Sequence, residues 1–286
     1  MKTTFLGISL ILLACLFTGC EGFDKSNETG TNKITRIYLS ESDGSQTGNE
    51  SVFDYRYAYD HMDRVARVAI ERDNSHANGE NAFRVSENYV YSYIDFDSVA
   101  ILRQVLQYGG NALSTEGYYL NTLLDANGRV VSIEDSVAGL RMEYAYDSQS
   151  RLNGLTKRWF NDSAQSTFHV DIQWTKEGNM ETITAGNITY HLEYGEAPLV
   201  NTLNIDLLGW LLEQEFMENI PLWSVGLQGP TNRNMPSALS IGSGSTRIRI
   251  QEYSYTAQKG NIASFTVTDA RSGHADTFVI ETTSGS

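Results

Sequence analysis

Cysteine, proline and long apolar runs are scarce in this sequence. Two Cys and four Pro occur in 286 residues. Both cysteines, Cys15 and Cys20, lie at the N-terminus, so the body of the chain holds no intramolecular disulfide and is not a disulfide scaffold. The low Pro count excludes collagen-like and Pro-rich chains. Only Phe5 to Phe17 is long and apolar, which excludes a bundle of membrane-spanning helices. His61, His76, His169, His191 and His274 form no pair at metal-ligand spacing, so no metal site is expected. A phosphate-binding loop and a Gly-x-Ser-x-Gly elbow are missing too, and no cofactor is implied. Positive charge is short: 21 Lys and Arg stand against 35 Asp and Glu, a net charge of −14. Nucleic acid is therefore not an expected partner, because phosphate affinity needs a basic surface.

What the chain does have is Tyr and Gly, 16 and 24 residues, with 41% of positions apolar. That is enough apolar material for a core. With so little Pro it points to β-structure joined by tight turns.

The N-terminus reads as an address. Met1 and Lys2 precede the apolar run, and Gly19 stands directly before Cys20. A positive start, an apolar stretch too short to span comfortably, and small residues make a secretory signal. The Gly19-Cys20 junction resembles the lipobox of bacterial lipoproteins, although Leu16 stands one step early and Phe17 occupies the usual Leu position. The resemblance implies removal of residues 1–19, acylation of Cys20 and anchoring in the outer membrane, facing the periplasm or the cell surface. Loss of Lys2 would take the net charge to −15. Residues 20–33 are polar and read as a flexible tether, leaving 34–286 as a single β domain.

Within that domain a hairpin recurs. Tyr57-Ala58-Tyr59-Asp60 is followed by Arg64, Val65 and Val68; Tyr144-Ala145-Tyr146-Asp147 is followed at identical offsets by Arg151, Leu152 and Leu155. Leu124-Asp125 with Gly128, Arg129 and Val130, and Trp174-Thr175 with Gly178, Asn179 and Met180, share the frame. Tyr255-Thr256 with Gly260 and Ile262 shares it with one inserted residue, and Tyr194 begins a degenerate copy. Apolar residues alternate before each turn, as on a strand with one wet face. Asp first and Gly fourth is the preference of a type I turn closed by a left-handed residue and a bulge. Asp63 and Ser150 stand where other copies have Gly, so both are expected at positive φ, with strain at Ser150.

The expected fold is all-β: an antiparallel meander of about a dozen strands forming a curved sheet or barrel. Loops are expected at 41–51, 73–82 and 226–245. One helix is expected over about 206–217, with Leu207, Trp210 and Leu211 covering the concave side. The candidate concave-face aromatics are Tyr57, Tyr59, Tyr144, Tyr146, Trp174, Tyr190 and Tyr194. A buried Tyr needs a partner for its hydroxyl or a wet edge.

The hairpin resembles the tyrosine-aspartate repeats of bacterial rearrangement-hotspot and wall-associated proteins. A second resemblance covers the chain from about Ile34 onward. The lipobox, the Tyr/Asp hairpins, Asn204-Ile205-Asp206-Leu207, and Gly229 with Asn234-Met235-Pro236-Ser237 look like a Bacteroides-type lipoprotein family of unknown function. That resemblance implies a porin-like β fold and transfers no catalytic residue. Three functional readings stand. The leading one is a non-catalytic, membrane-anchored module that binds a glycan, peptide or partner protein. The alternatives are a carrier of an apolar ligand within the curved sheet and a carboxylate-dependent hydrolase. A transmembrane barrel is disfavoured because charge falls on both faces of several strands.

Overall fold

The computed structural model describes residues 33–42, 52–73, 84–95, 98–108, 111–112, 117–160, 166–203, 226–242, 246–258 and 260–283. Cys20, the tether and the expected helix with Leu207, Trp210 and Leu211 lie outside the described residues. Among the described residues there are strands and turns and no α-helix.

The strands are β1 (Ile34–Ser42), β2 (Val52–Tyr59), β3 (Val65–Asp73), β4 (Arg84–Asp95), β5 (Ser98–Tyr108), β6 (Asn111–Ala112), β7 (Tyr118–Leu124), β8 (Val130–Asp135) and β9 (Leu140–Tyr146). They continue as β10 (Leu152–Trp159), β11 (Thr167–Trp174), β12 (Met180–Ala185), β13 (Ile188–Glu193), β14 (Ala238–Ile241), β15 (Ile248–Gln258), β16 (Asn261–Asp269) and β17 (Ala275–Thr282). Each pairs antiparallel with the next, except that the two-residue β6 touches only β5, and β5 passes directly to β7. β17 returns to pair with β1 over Ile34–Ser42. The meander thus closes into a barrel of sixteen strands, more than the dozen expected. Part of the difference is β14, which lies in the Ser- and Gly-rich stretch read as a loop over 226–245 and links β13 to β15.

The alternation of apolar and polar residues decides which face turns inward. Register pairs Tyr55 with Ile70, Ile101 with Leu120, Ile133 with Met142 and Phe265 with Phe278, and all of these are buried. Buried side chains from around the ring merge into one apolar cluster. The opposite face carries Arg36, Arg56, Arg67, Arg141, Glu143, Arg158, His169 and Asp171, half-buried or exposed. A round barrel of about sixteen strands leaves a water-filled channel. Here Val68, Tyr89, Ile101, Val130, Ile133, Met142, Leu152 and Met180 are 0% exposed, so the interior is filled at their level.

One end of the barrel gathers the start of β1, the end of β17 and the turns of the recurring hairpin. Residues 226–237 cross this end as a cap. Val130 N donates to Leu227 O at 2.8 Å, and Arg233 N to Gly178 O at 3.1 Å. Met180 N donates to Asn232 Oδ1 at 2.7 Å, and Asn234 N to Asn179 Oδ1 at 2.9 Å. Leu227 and Met235 join the core from above. At Gly229 φ is +80° and an added Cβ would stand 2.4 Å from Ser150 O, so only glycine lets the cap seat here.

Candidate functional site

Three of the recurring hairpins build the same clamp. In the β7–β8 turn, Asp125 Oδ1 accepts from Asn127 N and Arg129 N at 2.9 and 3.0 Å. Its Oδ2 holds the Arg129 guanidinium, with Nε at 2.7 Å. The guanidinium lies 4.2 Å from the centroid of the Tyr146 ring, and the Tyr146 hydroxyl donates to Val130 O at 2.6 Å. Asp60, Arg64 and Tyr93 repeat the arrangement, with Arg64 4.1 Å from the Tyr93 ring and Tyr93 OH 3.0 Å from Val65 O. Asp147, Arg151 and Trp174 repeat it with an indole, whose Nε1 donates to Leu152 O at 2.8 Å. Tyr59 OH reaches Ile34 O at 2.6 Å and Tyr194 OH reaches Met180 O at 2.9 Å. The aromatic of one hairpin thus caps a carbonyl at the start of the neighbouring strand, beneath that neighbour's Arg in three copies. Burial alone would raise the carboxyl pKa of Asp125 and Asp147; the Arg side chain and the turn amides more than reverse this and hold it below the ordinary range. Burial pushes the Tyr59 and Tyr93 hydroxyls up to about 12.

Asp63 and Ser150 have φ of 65° and 66°, the left-handed geometry their places in the repeat require. The seven expected aromatics all belong to the inner side. Tyr57, Tyr59, Tyr146, Trp174, Tyr190 and Tyr194 are half-buried against the core, and Tyr144 is buried within it. Tyr93, the partner of Arg64, was not among them, because its strand lacks the repeated Tyr-x-Tyr-Asp string.

A buried ionic network crosses the interior from β4 to β8. Arg103 Nη2 donates to Glu87 Oε1 at 2.8 Å and Nη1 to Asp135 Oδ2 at 3.1 Å. Tyr118 OH donates to Asp135 Oδ2 at 3.0 Å and Tyr89 OH to Glu87 Oε2 at 3.1 Å. Glu87 and Asp135 are 4% and 2% exposed. Burial would lower the Arg103 pKa, but its electrostatic contacts with Tyr89 and the Glu87 carboxylate outweigh this and raise it. One guanidinium joins both acids, so the pair is an internal tie. Sequence offered a signal for it: Glu87, Arg103 and Asp135 are charges in the apolar phase of their strands, beside Tyr89, Ile101 and Ile133.

On the outer face a depression of about 220 Å³ opens over β9, β10 and β11. Its floor is Ala145 facing Gly154, and its walls are Glu143, Thr156, His169 and Asp171. In the repeat frame Gly154 corresponds to Arg67, so one copy lacks the side chain that would fill the notch. No group of three or more potential metal ligands exists among the described residues.

These features define a class: a closed up-and-down barrel of sixteen strands, apolar and filled inside, charged outside, and capped at one end. The chain is similar in fold to the crystal structure of a porin-like protein from Bacteroides uniformis ATCC 8492, with 12% identity over 87% of this chain and 97% of that one, at a TM-score of 0.64. A porin-like protein from Bacteroides vulgatus ATCC 8482 also aligns, at 12% identity over 87% of this chain and 98% of that one, with a TM-score of 0.38. No protein-family model and no curated protein matches the chain.

Proposed function

We propose that this protein is a lipid-anchored, non-catalytic module of the bacterial outer envelope that acts through the outside of its barrel. The observation that carries the reading is the direction of the sheet's polarity. A membrane-spanning barrel shows lipid an apolar band about 25 Å tall and keeps its polar residues inside. Here the apolar phase faces in, and Arg36, Arg56, Arg67, Arg141 and Arg158 face out. The interior, filled at the level of Val68, Tyr89, Ile101 and Met142, also disfavours a carrier. Acylated Cys20 would supply the membrane attachment through the tether to Lys33. Both ends of the ring, Lys33 and Thr283, meet at the capped end, where Thr283 N donates to Lys33 O at 2.8 Å.

The test uses the chain from Glu21 onward and the full chain side by side. The shorter chain is expected to purify monodisperse without detergent and to give no conductance in planar bilayers. The full chain is expected to incorporate radiolabelled palmitate, and Cys20→Ser to abolish this. Ion conductance, or a detergent requirement of the shorter chain, would overturn the reading.

A further inference from the structure

The outer face of β7 to β11 combines three features that the clamps, the cap and the ionic network leave unused. The first is the notch over Gly154. The second is its charge. Asp171, directly opposite Gly154, makes no ion pair among the described residues. Glu143 on the far wall is shared with Arg141 and Arg158 at 3.3 and 3.2 Å. His169 commits Nδ1 to the Thr156 hydroxyl at 3.0 Å. Hydrogen-bond acceptors therefore dominate the notch, and its floor is the Ala145 methyl and Gly154 backbone. Such a site suits a cation on an aliphatic stem, the form of a lysine or arginine side chain. No exposed aromatic ring lines it to stack a sugar face.

The third feature is apolar. Tyr119 and Leu123 on β7 are 65% and 60% exposed, unusually bare for large side chains on a sheet face. Leu123 lies in one continuous cross-strand row with Ser132, Glu143, Thr156 and His169. At ~4.8 Å per strand, three spacings put Leu123 about 14 Å from the notch on β10. A few extended residues plus a lysine side chain cover that span, at ~3.3 Å per residue.

We propose that this face docks a basic polypeptide segment, seating an apolar side chain on Tyr119 and Leu123 and a lysine or arginine in the Gly154 notch. This rests on the reading of the barrel as a binding module that works from its outer face, and it names the partner's chemistry. The net charge of −14 favours encounter with a basic partner.

The probe is the peptide acetyl-Leu-Ser-Ser-Lys-amide, titrated into the ¹⁵N-labelled chain from Glu21 onward, with acetyl-Leu-Ser-Ser-Glu-amide and free glucose as comparisons. Saturable shifts are expected at the amides of Leu123, Gly154, Thr156, His169 and Asp171 with the lysine peptide alone. Raising NaCl from 0.05 to 0.5 M should weaken binding at least threefold. Gly154→Val, which fills the notch, and Asp171→Asn, which removes its free charge, should each weaken binding at least fivefold with thermal melting unchanged. Leu123→Ser should weaken it without altering the salt dependence. Equal response to the glutamate peptide, response to glucose instead, no saturable shift, or full binding by Gly154→Val would overturn the proposal. Conductance and detergent behaviour do not enter this result, so the two readings fail separately.

Discussion

The clamp repeats one set of contacts at three depths, which allows a controlled test of what holds the turn end of the barrel. The perturbation is Asp→Ala at positions 60, 125 and 147. Each substitution removes the acceptor of two turn amides and of one guanidinium. The side chains of Arg129 and Arg151 are 12% and 15% exposed, whereas that of Arg64 is 38% exposed. Without Asp125 or Asp147 a mostly buried guanidinium keeps its aromatic contact and loses its counter-charge. Breaking a fully buried pair costs about 3–5 kcal/mol. These pairs lie at the edge of the core, so about 3 kcal/mol each is expected, a fall in Tm of roughly 6–12 °C for a domain of this size. Arg64 can turn to solvent once Asp60 is gone, so that variant should lose only the turn-amide contacts and cost least of the three.

Urea titration and calorimetry of the three variants give the comparison. Equal costs at the three sites, or the largest at Asp60, would refute the reasoning. The pH dependence gives a second constraint. Asp125 and Asp147 titrate lower in the fold than in the unfolded chain, where a carboxyl has a pKa of about 3.9. A depressed folded pKa contributes stability that is present above the unfolded value and lost as pH falls through the folded one. The gap between the native chain and Asp125→Ala should therefore hold from neutral pH to about 4 and close below it. A gap unchanged down to pH 2 would mean that the carboxylate charge is not what the clamp uses.

Other outcomes follow from individual contacts. Ser150→Gly relieves a non-glycine residue at φ 66° and should stabilise by ~1 kcal/mol in urea titration. Gly229→Ala brings a methyl against Ser150 O at positive φ, and hydrogen exchange should show the Val130 and Arg233 amides, which bond the cap, losing protection before the rest of the ring. Arg103→Met leaves Glu87 and Asp135 buried without their shared cation and should cost about 3–5 kcal/mol at pH 7. In an absorbance titration at 295 nm, Tyr59 and Tyr93 should ionise near 12 rather than 10. Because their folded pKa is raised, their contribution is complete below pH 10 and lost as pH rises through about 12.

Local order was legible in the sequence wherever a short string carries its own geometry. The Tyr-x-Tyr-Asp frame announced the strand, its inner face and the turn, down to the positive φ at Asp63 and Ser150. β14 was not legible: Ala238-Leu239-Ser240-Ile241 is too short to show a period and sits among Gly and Ser. Its strand character comes from the ladders it finds on β13 and β15. The ionic network was readable only as three charges in the wrong phase, since Glu87, Arg103 and Asp135 meet only when β4, β5, β7 and β8 are placed side by side. The notch was hidden for a related reason. Gly154 is unremarkable alone, and its meaning comes from Arg67 at the matching place and from Asp171 across the ladder.

The phase of alternation, more than the number of strands, decides what such a barrel can do. Sixteen strands are enough to enclose a channel, and the same hydrogen-bond ladders would hold a ring with either face turned inward. Because side chains alternate with period two, a shift of one residue along every strand would exchange the faces, placing Arg141, Glu143 and Arg158 inside and Ile133, Met142 and Leu155 outside. Here the recurring hairpin forbids that exchange. Its aromatic must turn inward to reach the neighbouring carbonyl, as Tyr146 reaches Val130 and Trp174 reaches Leu152, and that commitment carries the rest of the strand with it. The clamp that orders the turns therefore also sets the polarity of the sheet, dry within and charged without. The outer face is left unconstrained by the clamp, and there the residues between the inward positions differ from copy to copy, as Arg67 and Gly154 do.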